Sequence, residues 1–222
     1  MISDLQIDNI IVSNLQPTKK DFFNKSDKLS AQGYVGLQKV KIYETFDKRQ
    51  GKLRKFVDEN VKLGKYFPKL IACNEKYIVE EWIKGITLKD KFSKKIIENK
   101  SKDNSSQWYN IVKELKEFIT TMWETPYETE VFDYIKHIHD RINKPMSIDY
   151  QKIPIKLNHN DLSLENILIT DKGLKIIDNE FLGCSSGWIL NLKNSFIEDD
   201  FNYGELVSTN TLNNLWKIRK EL

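Results

Sequence analysis

Residues 157–183 read LNHNDLSLENILITDKGLKIIDNEFLG and combine a polar loop with two short apolar runs. His159, Asp161 and Asn166 stand in an H-x-D-x-x-x-x-N pattern, and the first apolar run begins directly after Asn166. An Asp-Lys-Gly tripeptide separates the two runs and favours a tight reversal of the chain. The second run ends at Asp178. The stretch therefore predicts a loop and a β-hairpin that brings Asn166 and Asp178 to one end of a two-stranded ribbon.

The order of loop, hairpin and terminal carboxylate resembles the kinase-like superfamily, in the branch of aminoglycoside phosphotransferases, choline kinases and lipopolysaccharide or sugar kinases. Asp178 begins a D-N-E triplet, which is similar to the I-D-x-E form of the small-molecule branch, whereas protein kinases carry D-F-G and then A-P-E. The resemblance implies an α+β, two-lobed protein-kinase-like fold. Its N-lobe, residues 1–84, would hold an antiparallel sheet plus one helix, and its C-lobe, residues 85–222, would be mainly helical.

The polar residues of this stretch fit phosphoryl transfer, in which a protein mostly positions groups and supplies charge. By resemblance, Asp161 would accept the proton of an attacking hydroxyl, and His159 would brace the catalytic loop. Asn166 and Asp178 are oxygen donors suited to Mg²⁺, and Glu180 would add a second carboxylate at the metal or behind it. The competing interpretation is a solvated turn whose carboxylates lie on the surface.

A lysine on an upstream strand is the next feature that the resemblance implies. Residues 35–43 read VGLQKVKIY and are rich in strand-forming residues. Lys39 and Lys41 share one face of such a strand, so the pattern alone leaves both open. The V-x-K-I-Y form of the resemblance favours Lys41 as the lysine that would hold the α- and β-phosphates. The competing interpretation is a solvated strand lysine.

A helix should follow this strand and carry a glutamate that pairs with the lysine. The apolar residues of residues 47–64 recur near helical spacing, and Gly64 is a typical helix end. Glu59 resembles the expected glutamate, and Asp58 is an adjacent competitor. Both would otherwise be solvated helix charges.

Residues 77–85, YIVEEWIKG, resemble the strand and hinge between the two lobes. Backbone groups of Glu80, Glu81 and Trp82 would then contact the adenine of ATP, with the Trp82 ring used in packing. No G-x-G-x-x-G loop precedes the lysine, so the polar residues 13–30 are expected to cover the phosphates instead.

Further elements follow from periodicity. The first strand is expected at residues 10–12. An amphipathic helix is predicted from Trp108, Ile111, Val112, Leu115, Phe118, Ile119, Met122 and Trp123, and a second from Val131, Phe132, Ile135, Ile138 and Ile142. His137 and His139 lie two apart on the second helix, which points them to different sides and disfavours a metal pair.

Charge and cysteine content exclude several classes of protein. The 222 residues include 35 basic and 32 acidic ones, a balance that does not favour binding to nucleic acid. Cys73 and Cys184 form no disulfide framework and fit no metal spacing. No apolar stretch approaches the length of a membrane span. We therefore expect a cytoplasmic protein, with at most peripheral association with envelope-synthesis machinery.

The leading hypothesis is an ATP- and Mg²⁺-dependent kinase that phosphorylates a hydroxyl of a small molecule or carbohydrate. The short stretch after Asp178 suits a bulky acceptor, such as a cell-surface glycan or its precursor. A protein kinase is the second hypothesis, which the missing D-F-G and A-P-E disfavour. A non-catalytic kinase-like nucleotide-binding module is the third, and the complete set of Asp161, Asn166 and Asp178 disfavours it.

Overall fold

The computed structural model of this chain describes residues 4–18, 28–91, 107–128, 131–132 and 155–185. The chain divides into two compact units, residues 1–85 and 86–222. Within the described ranges, no helix combines the length and the apolar character that crossing a membrane requires.

The N-terminal unit is built on a six-stranded sheet. Every neighbouring pair of strands is antiparallel, and the strand order is β1-β2-β3-β4-β6-β5. The strands are β1 (Leu5–Ile7), β2 (Ile10–Pro17), β3 (Ser30–Val35), β4 (Gln38–Glu44), β5 (Leu70–Cys73) and β6 (Tyr77–Glu81). This confirms the antiparallel sheet expected for the N-lobe.

Two strand predictions were wrong in their boundaries. The stretch 35–43 is not one strand, because Gly36 adopts a left-handed φ of 57° and reverses the chain. Val35 then pairs with Gln38 across a two-residue hairpin, and such hairpins require positive φ in the turn. The strand expected at residues 10–12 extends to Pro17, and β1 precedes it.

One face of this sheet carries an apolar core. Its buried members come from five strands: Ile7, Val12, Leu15, Ala31, Val40, Ile42 and Val79. Gly33 lies among them, opposite Val40 in the β3–β4 register. A Cβ on Gly33 would lie 2.9 Å from the Ser13 carbonyl oxygen and 2.9 Å from Val12 Cγ1. Gly33 therefore serves close packing of β2 on β3.

Replacing Gly33 with alanine is expected to destabilise the protein by about 1–3 kcal/mol, because the added methyl would clash with the Ser13 carbonyl oxygen, which belongs to the backbone and cannot easily shift. Urea unfolding measures the change. Gln32→Ala on the same strand, where the side chain is half-buried, is the control and should shift stability by about 0.5 kcal/mol or less. Equal stability of Gly33→Ala and the parent protein would contradict this packing role.

Two helices follow β4, where one was predicted over residues 47–64. They are α1 (Gln50–Glu59) and α2 (Val61–Gly64). Asn60 breaks the run with an extended ψ of 113°, and its side chain accepts hydrogen bonds from the amides of Lys62 and Leu63. This is the usual arrangement of an N-cap asparagine. The predicted end at Gly64 agrees with the structure.

The described part of the C-terminal unit contains two helices and five short strands. They are β7 (Ile86–Thr87), α3 (Leu88–Lys91), α4 (Gln107–Glu124), β8 (Lys156–Asn158), β9 (Ile167–Thr170), β10 (Gly173–Ile176) and β11 (Gly183–Ser185). A 3₁₀ turn covers Asn179–Phe181. The strands form one sheet of order β10-β9-β7 and a β11-β8 pair. Helix α4 confirms the first predicted amphipathic helix, with Ile111, Leu115, Phe118, Ile119 and Met122 buried.

The start that was predicted for the second helix, at Val131 and Phe132, is wrong. Val131 forms an isolated antiparallel bridge with Cys184, and Phe132 has a φ of 53°. Neither residue is helical, because Val131 extends the β11–β8 pairing and the positive φ of Phe132 is incompatible with a right-handed helix. The rest of that predicted helix, with His137 and His139, lies outside the described residues, as does much of the sequence expected to make the C-lobe mainly helical.

Candidate active site

The predicted hairpin is present. Strands β9 and β10 pair antiparallel with Ile167 opposite Ile176, and the Ile177 amide donates to the Asn166 carbonyl at 2.9 Å. Because Asn166 immediately precedes β9 and Asp178 follows Ile177, both residues stand at the same end of the ribbon.

The loop before β9 is closed by Asn166. Its Nδ2 donates to the backbone oxygen of Asp161 and to Asp161 Oδ2, each at 2.9 Å. Its own amide donates to the Ser163 carbonyl at 3.0 Å. The Asn166 side chain is buried, with 8% of the residue exposed. Both acceptors fix the amide orientation, so Oδ1 is the side-chain atom of Asn166 that can serve as a metal ligand.

His159 joins the loop to the segment that carries Asp178. The ring is buried, and Nε2 lies 3.0 Å from the Ile177 carbonyl oxygen and 3.1 Å from Asn179 Oδ1. Two acceptors at Nε2 place the proton on that nitrogen. Burial lowers the pKa of His159 to about 4, although Asp178 raises it in part. A neutral Nε2–H donor braces this site and does not act there as a base.

The depressed pKa of His159 predicts a loss of stability in acid. The unfolded chain binds the proton near pH 6.5 and the folded chain only near 4, so this contribution is complete above pH 6.5 and is lost as the pH falls towards 4. At about 1.4 kcal/mol per pKa unit the total is about 3 kcal/mol. The His159→Gln side chain keeps a hydrogen-bond donor but does not titrate. The free energy of unfolding in urea should therefore fall more steeply with decreasing pH in the parent than in this variant. The same pH dependence in both proteins would contradict the contribution of His159.

Two non-glycine residues beside the hairpin adopt the left-handed conformation, Asn160 with φ 64° and Asp178 with φ 65°. Asparagine and aspartate tolerate this region better than other residues with a side chain. Asn160 is held by a bond from its Nδ2 to the Phe181 carbonyl at 2.8 Å. Asp178 is half-buried, whereas Glu180 in the 3₁₀ turn is only 7% exposed. Asp178 is therefore the more accessible of the two predicted metal carboxylates.

The two candidate lysines lie on β4 in different surroundings. Lys39 Nζ sits 4.1 Å from the centroid of the Trp82 ring, which is a close cation–π contact. Lys41 Nζ is 5.5 Å from the centroid of Tyr43. The ring of Trp82 is thus used in packing, as expected from the sequence, and it engages Lys39. This contact favours Lys41 as the phosphate-binding lysine.

Glu59 does not form the expected pair with Lys41. Its Oε1 lies 3.9 Å from Lys55 Nζ one turn earlier, and the side chain is 67% exposed. The reason is helical geometry: Leu53 and Val57 face the protein, and Glu59 stands about 200° around the helix from Val57. The competitor Asp58 accepts from the Leu70 amide at 2.9 Å and joins α1 to β5.

A buried cluster of charged residues is present instead of the expected pair of Lys41 and Glu59, and it was not predicted from the sequence. Arg54 and Glu80 are each 1% exposed, and Arg54 Nε lies 3.5 Å from Glu80 Oε2. Arg54 Nη2 also donates to the Pro68 carbonyl, and the Tyr43 hydroxyl donates to Glu80 Oε2 at 3.5 Å. A signal was present in the sequence, since Arg54 stands directly after Leu53 and three positions before Val57, two of the apolar residues that recur at helical spacing.

The backbone of the predicted hinge is partly engaged within the sheet. The Glu81 amide donates to the Lys69 carbonyl at 2.9 Å, and the Trp82 amide donates to the Lys39 carbonyl at 3.1 Å. Glu80 pairs with Lys41 in the ladder, and its side chain is directed to Arg54. The amides of Glu81 and Trp82 are therefore occupied within the sheet, and contact of the remaining backbone groups of Glu80, Glu81 and Trp82 with adenine stays a prediction.

A closed metal centre is not formed within the described residues, where no group of three or more His, Cys, Asp or Glu side chains is arranged to hold a metal ion. The candidate set differs in kind, since it combines the Asn166 amide oxygen with the Asp178 and Glu180 carboxylates. Mg²⁺ usually takes one or two protein carboxylates and completes its shell with water and phosphate oxygens. The donor set present fits such an open site.

Comparison with known sequences gives little. No protein-family model matches the chain. An uncharacterised protein of Metamycoplasma hominis is 28% identical over 134 residues, which cover 60% of this chain. The match spans 24% of the length of that relative, so the relative is a much longer protein.

Comparison with solved structures is more informative about the fold. A thermostable mutant of aminoglycoside phosphotransferase APH(4)-Ia, in ternary complex with ADP and hygromycin B, aligns with a TM-score of 0.54 and 13% identity, covering 94% of this chain and 84% of that one. Choline kinase LicA from Streptococcus pneumoniae aligns with a TM-score of 0.51 and 16% identity, covering 95% and 86%. The predicted resemblance to this branch of the kinase-like superfamily is confirmed at the level of the fold.

Proposed function

We propose that this protein is a phosphotransferase that moves the γ-phosphoryl group of ATP to a hydroxyl of a small molecule or carbohydrate. The observation that carries the proposal is the closed loop of Asp161 and Asn166 at the end of a hairpin that also presents Asp178. These groups are the base and the metal ligands that such a reaction requires.

Asp161 would orient and accept the proton of the acceptor hydroxyl. Asn166 Nδ2 holds Asp161 Oδ2 at 2.9 Å, which fixes the carboxylate before an acceptor arrives and reduces the reorganisation that catalysis requires. His159 holds the loop against Ile177 and stays neutral. Lys41 would contact the α- and β-phosphates of ATP.

Asn166 Oδ1 and Asp178 would hold Mg²⁺ together with phosphate oxygens. The buried Glu180 would supply a second carboxylate, either as a further ligand or next to the ligands. The ion would neutralise charge on the phosphates of bound ATP. Oxygen donors of this type match the preference of Mg²⁺.

The solved structures that resemble this chain support ATP as the phosphoryl donor and a small molecule as the acceptor. One was captured with ADP and hygromycin B, another with AMP-PNP and hygromycin B, and a third is named a choline kinase. A small hydroxyl-bearing acceptor follows by analogy. Within this class we favour a cell-surface glycan or its precursor, with peripheral association with envelope-synthesis machinery.

The proposal is tested by Mg²⁺-ATP-dependent release of ADP against a panel of hydroxyl acceptors, with Asp161→Asn as the blank. The panel contains envelope sugars and glycans, aminoglycosides, choline, ethanolamine and a generic protein. Release that depends on one small-molecule or sugar class and is absent from the blank would establish the activity and its acceptor. Release with the protein substrate alone would favour a protein kinase, and a protein that binds ATP but responds to no acceptor would favour a non-catalytic module.

Asp178→Ala should weaken nucleotide binding at least tenfold when Mg²⁺ is present and change it little in excess EDTA, because the variant loses a metal carboxylate and leaves the nucleotide contacts in place. Isothermal titration calorimetry with a non-hydrolysable ATP analogue measures both affinities. Asp171→Ala, at the exposed turn of the same hairpin, is the matched control and should bind like the parent. Equal affinity of the parent with and without Mg²⁺ would remove Asp178 from the metal site.

A further inference from the structure

We propose that Glu80, a carboxylate on a strand, positions Lys41, in the role that the resemblance assigned to a glutamate on helix α1. The inference rests on the proposed function in so far as it concerns nucleotide binding. It names the residue that would hold the phosphate-binding lysine in this chain.

The register of the sheet places the two side chains together. Strands β4 and β6 pair antiparallel, and Lys41 and Glu80 are direct partners in that pairing. Side chains directly opposite each other in an antiparallel pair project from the same face, with Cβ atoms about 4.5–5.5 Å apart. A lysine and a glutamate at this separation can form an ion pair without movement of the backbone.

Tyr43 connects the same two residues. It lies two positions after Lys41 on β4 and therefore on the same face. The Lys41 ammonium is 5.5 Å from the centre of its ring, and its hydroxyl donates to Glu80 Oε2 at 3.5 Å. The ring thus lies beside the ammonium while its hydroxyl reaches the carboxylate, which restricts the space in which Lys41 can move.

Helix α1 contributes the Arg54 guanidinium to this face of the sheet, whereas the resemblance predicted a glutamate there. Arg54 Nε approaches Glu80 Oε2 at 3.5 Å, while Glu59 is engaged with Lys55 on the outer side of the helix. Glu80 is buried, and a buried carboxylate requires compensating positive charge. Arg54 from the helix and Lys41 from the neighbouring strand supply it from two directions. In this chain the buried carboxylate therefore lies on the sheet, and helix α1 contributes a positive charge to it.

The test is a double-mutant cycle between Lys41→Met and Glu80→Gln, with Mg²⁺-ATP affinity measured by calorimetry. Glu80→Gln alone should weaken binding roughly tenfold, since a charge-assisted contact to Lys41 is lost. In the Lys41→Met background the same change should have no further effect, because Glu80 acts through Lys41. Glu75→Gln, at the exposed turn before β6, is the control and should change binding by less than about twofold in either background. Additive effects of Lys41→Met and Glu80→Gln would overturn the proposal.

A second variant separates positioning from folding. Arg54→Met/Glu80→Met removes both buried charges together, which commonly leaves stability close to that of the parent. If Glu80 positions Lys41, this variant should fold normally and still bind Mg²⁺-ATP roughly tenfold more weakly. Recovery of full affinity together with stability would show that Glu80 serves only to neutralise Arg54.

The urea midpoints of the Lys41/Glu80 cycle, measured without nucleotide, keep this inference distinct from the proposed function. A parent protein that binds no nucleotide would refute the function, whereas a non-additive shift of the midpoints would still support the Lys41–Glu80 pair. A parent that binds Mg²⁺-ATP but shows additive midpoints would refute the pair and leave the function standing.

Discussion

Asp161→Asn is expected to lower the turnover number by roughly 10²-fold or more, with Mg²⁺-ATP affinity changed by less than about twofold. The substitution keeps the size of the side chain and an oxygen that can accept from Asn166 Nδ2, so the bond that closes the loop at 2.9 Å can be retained. What is lost is the ability to take a proton from the acceptor hydroxyl. The effect should therefore fall on the chemical step.

Steady-state kinetics with the acceptor found in the panel measures this change, and calorimetry with an ATP analogue measures binding separately. Glu165→Gln is the matched control, since Glu165 lies in the same loop but is exposed and paired with Lys89. It should retain turnover within about twofold. Near-normal turnover of Asp161→Asn would remove Asp161 from the role of base, and a parallel loss of nucleotide affinity would point to a folding defect instead.

Arg54→Met is expected to lower the free energy of unfolding by about 3–5 kcal/mol, which is the usual cost of leaving one member of a buried ion pair without its partner. Arg54 lies within 3.5 Å of Glu80 and also donates to the Pro68 carbonyl. Its removal leaves the Glu80 carboxylate buried without its arginine, next to Tyr43. Urea unfolding at neutral pH measures the loss.

Two controls separate the buried pair from a general effect of losing a positive charge. Arg49→Met removes an exposed arginine that pairs with Asp47 at the surface, and it should cost about 1 kcal/mol or less. Arg54→Met/Glu80→Met should regain most of the stability, because both charges leave the interior together. A double variant as unstable as Arg54→Met would show that the arginine acts through its carbonyl contact and its packing.

The loop around Asp161 and the hairpin that follows it could be predicted because their signals are local. The reversal depends on three consecutive residues and the strands on two short apolar runs, so hairpin formation is enough to bring Asn166 and Asp178 to the same end of the ribbon. The bracing of the loop by His159 was expected from the resemblance. Its bond to Ile177 spans only 18 residues within the same stretch.

The N-terminal unit was harder to predict because its site residues are placed by tertiary contacts. Glu59 and Arg54 occur in one charged helix, and only the direction of packing decides which one is buried. The contacts of Glu80 are not visible in the local sequence, because its partner in the β4–β6 pairing, Lys41, lies 39 positions away. The amides of Glu81 and Trp82 are likewise occupied by partners from other segments, which a pattern of neighbouring residues does not reveal.

Helix α1 is held against the sheet by contacts near its start and further along, and these contacts have a consequence for regulation. Near its start, a Cβ on Gly51 would lie 2.4 Å from the Asn74 carbonyl oxygen, and the Cys73 thiol donates to the Gly51 carbonyl at 3.3 Å. Further along, Arg54 and Asp58 hold Pro68, Glu80 and Leu70. A swing of this helix, of the kind that moves an element between two discrete packings, would withdraw an arginine from a buried pair. These contacts therefore favour a single packing of helix α1 on the sheet over a two-state switch.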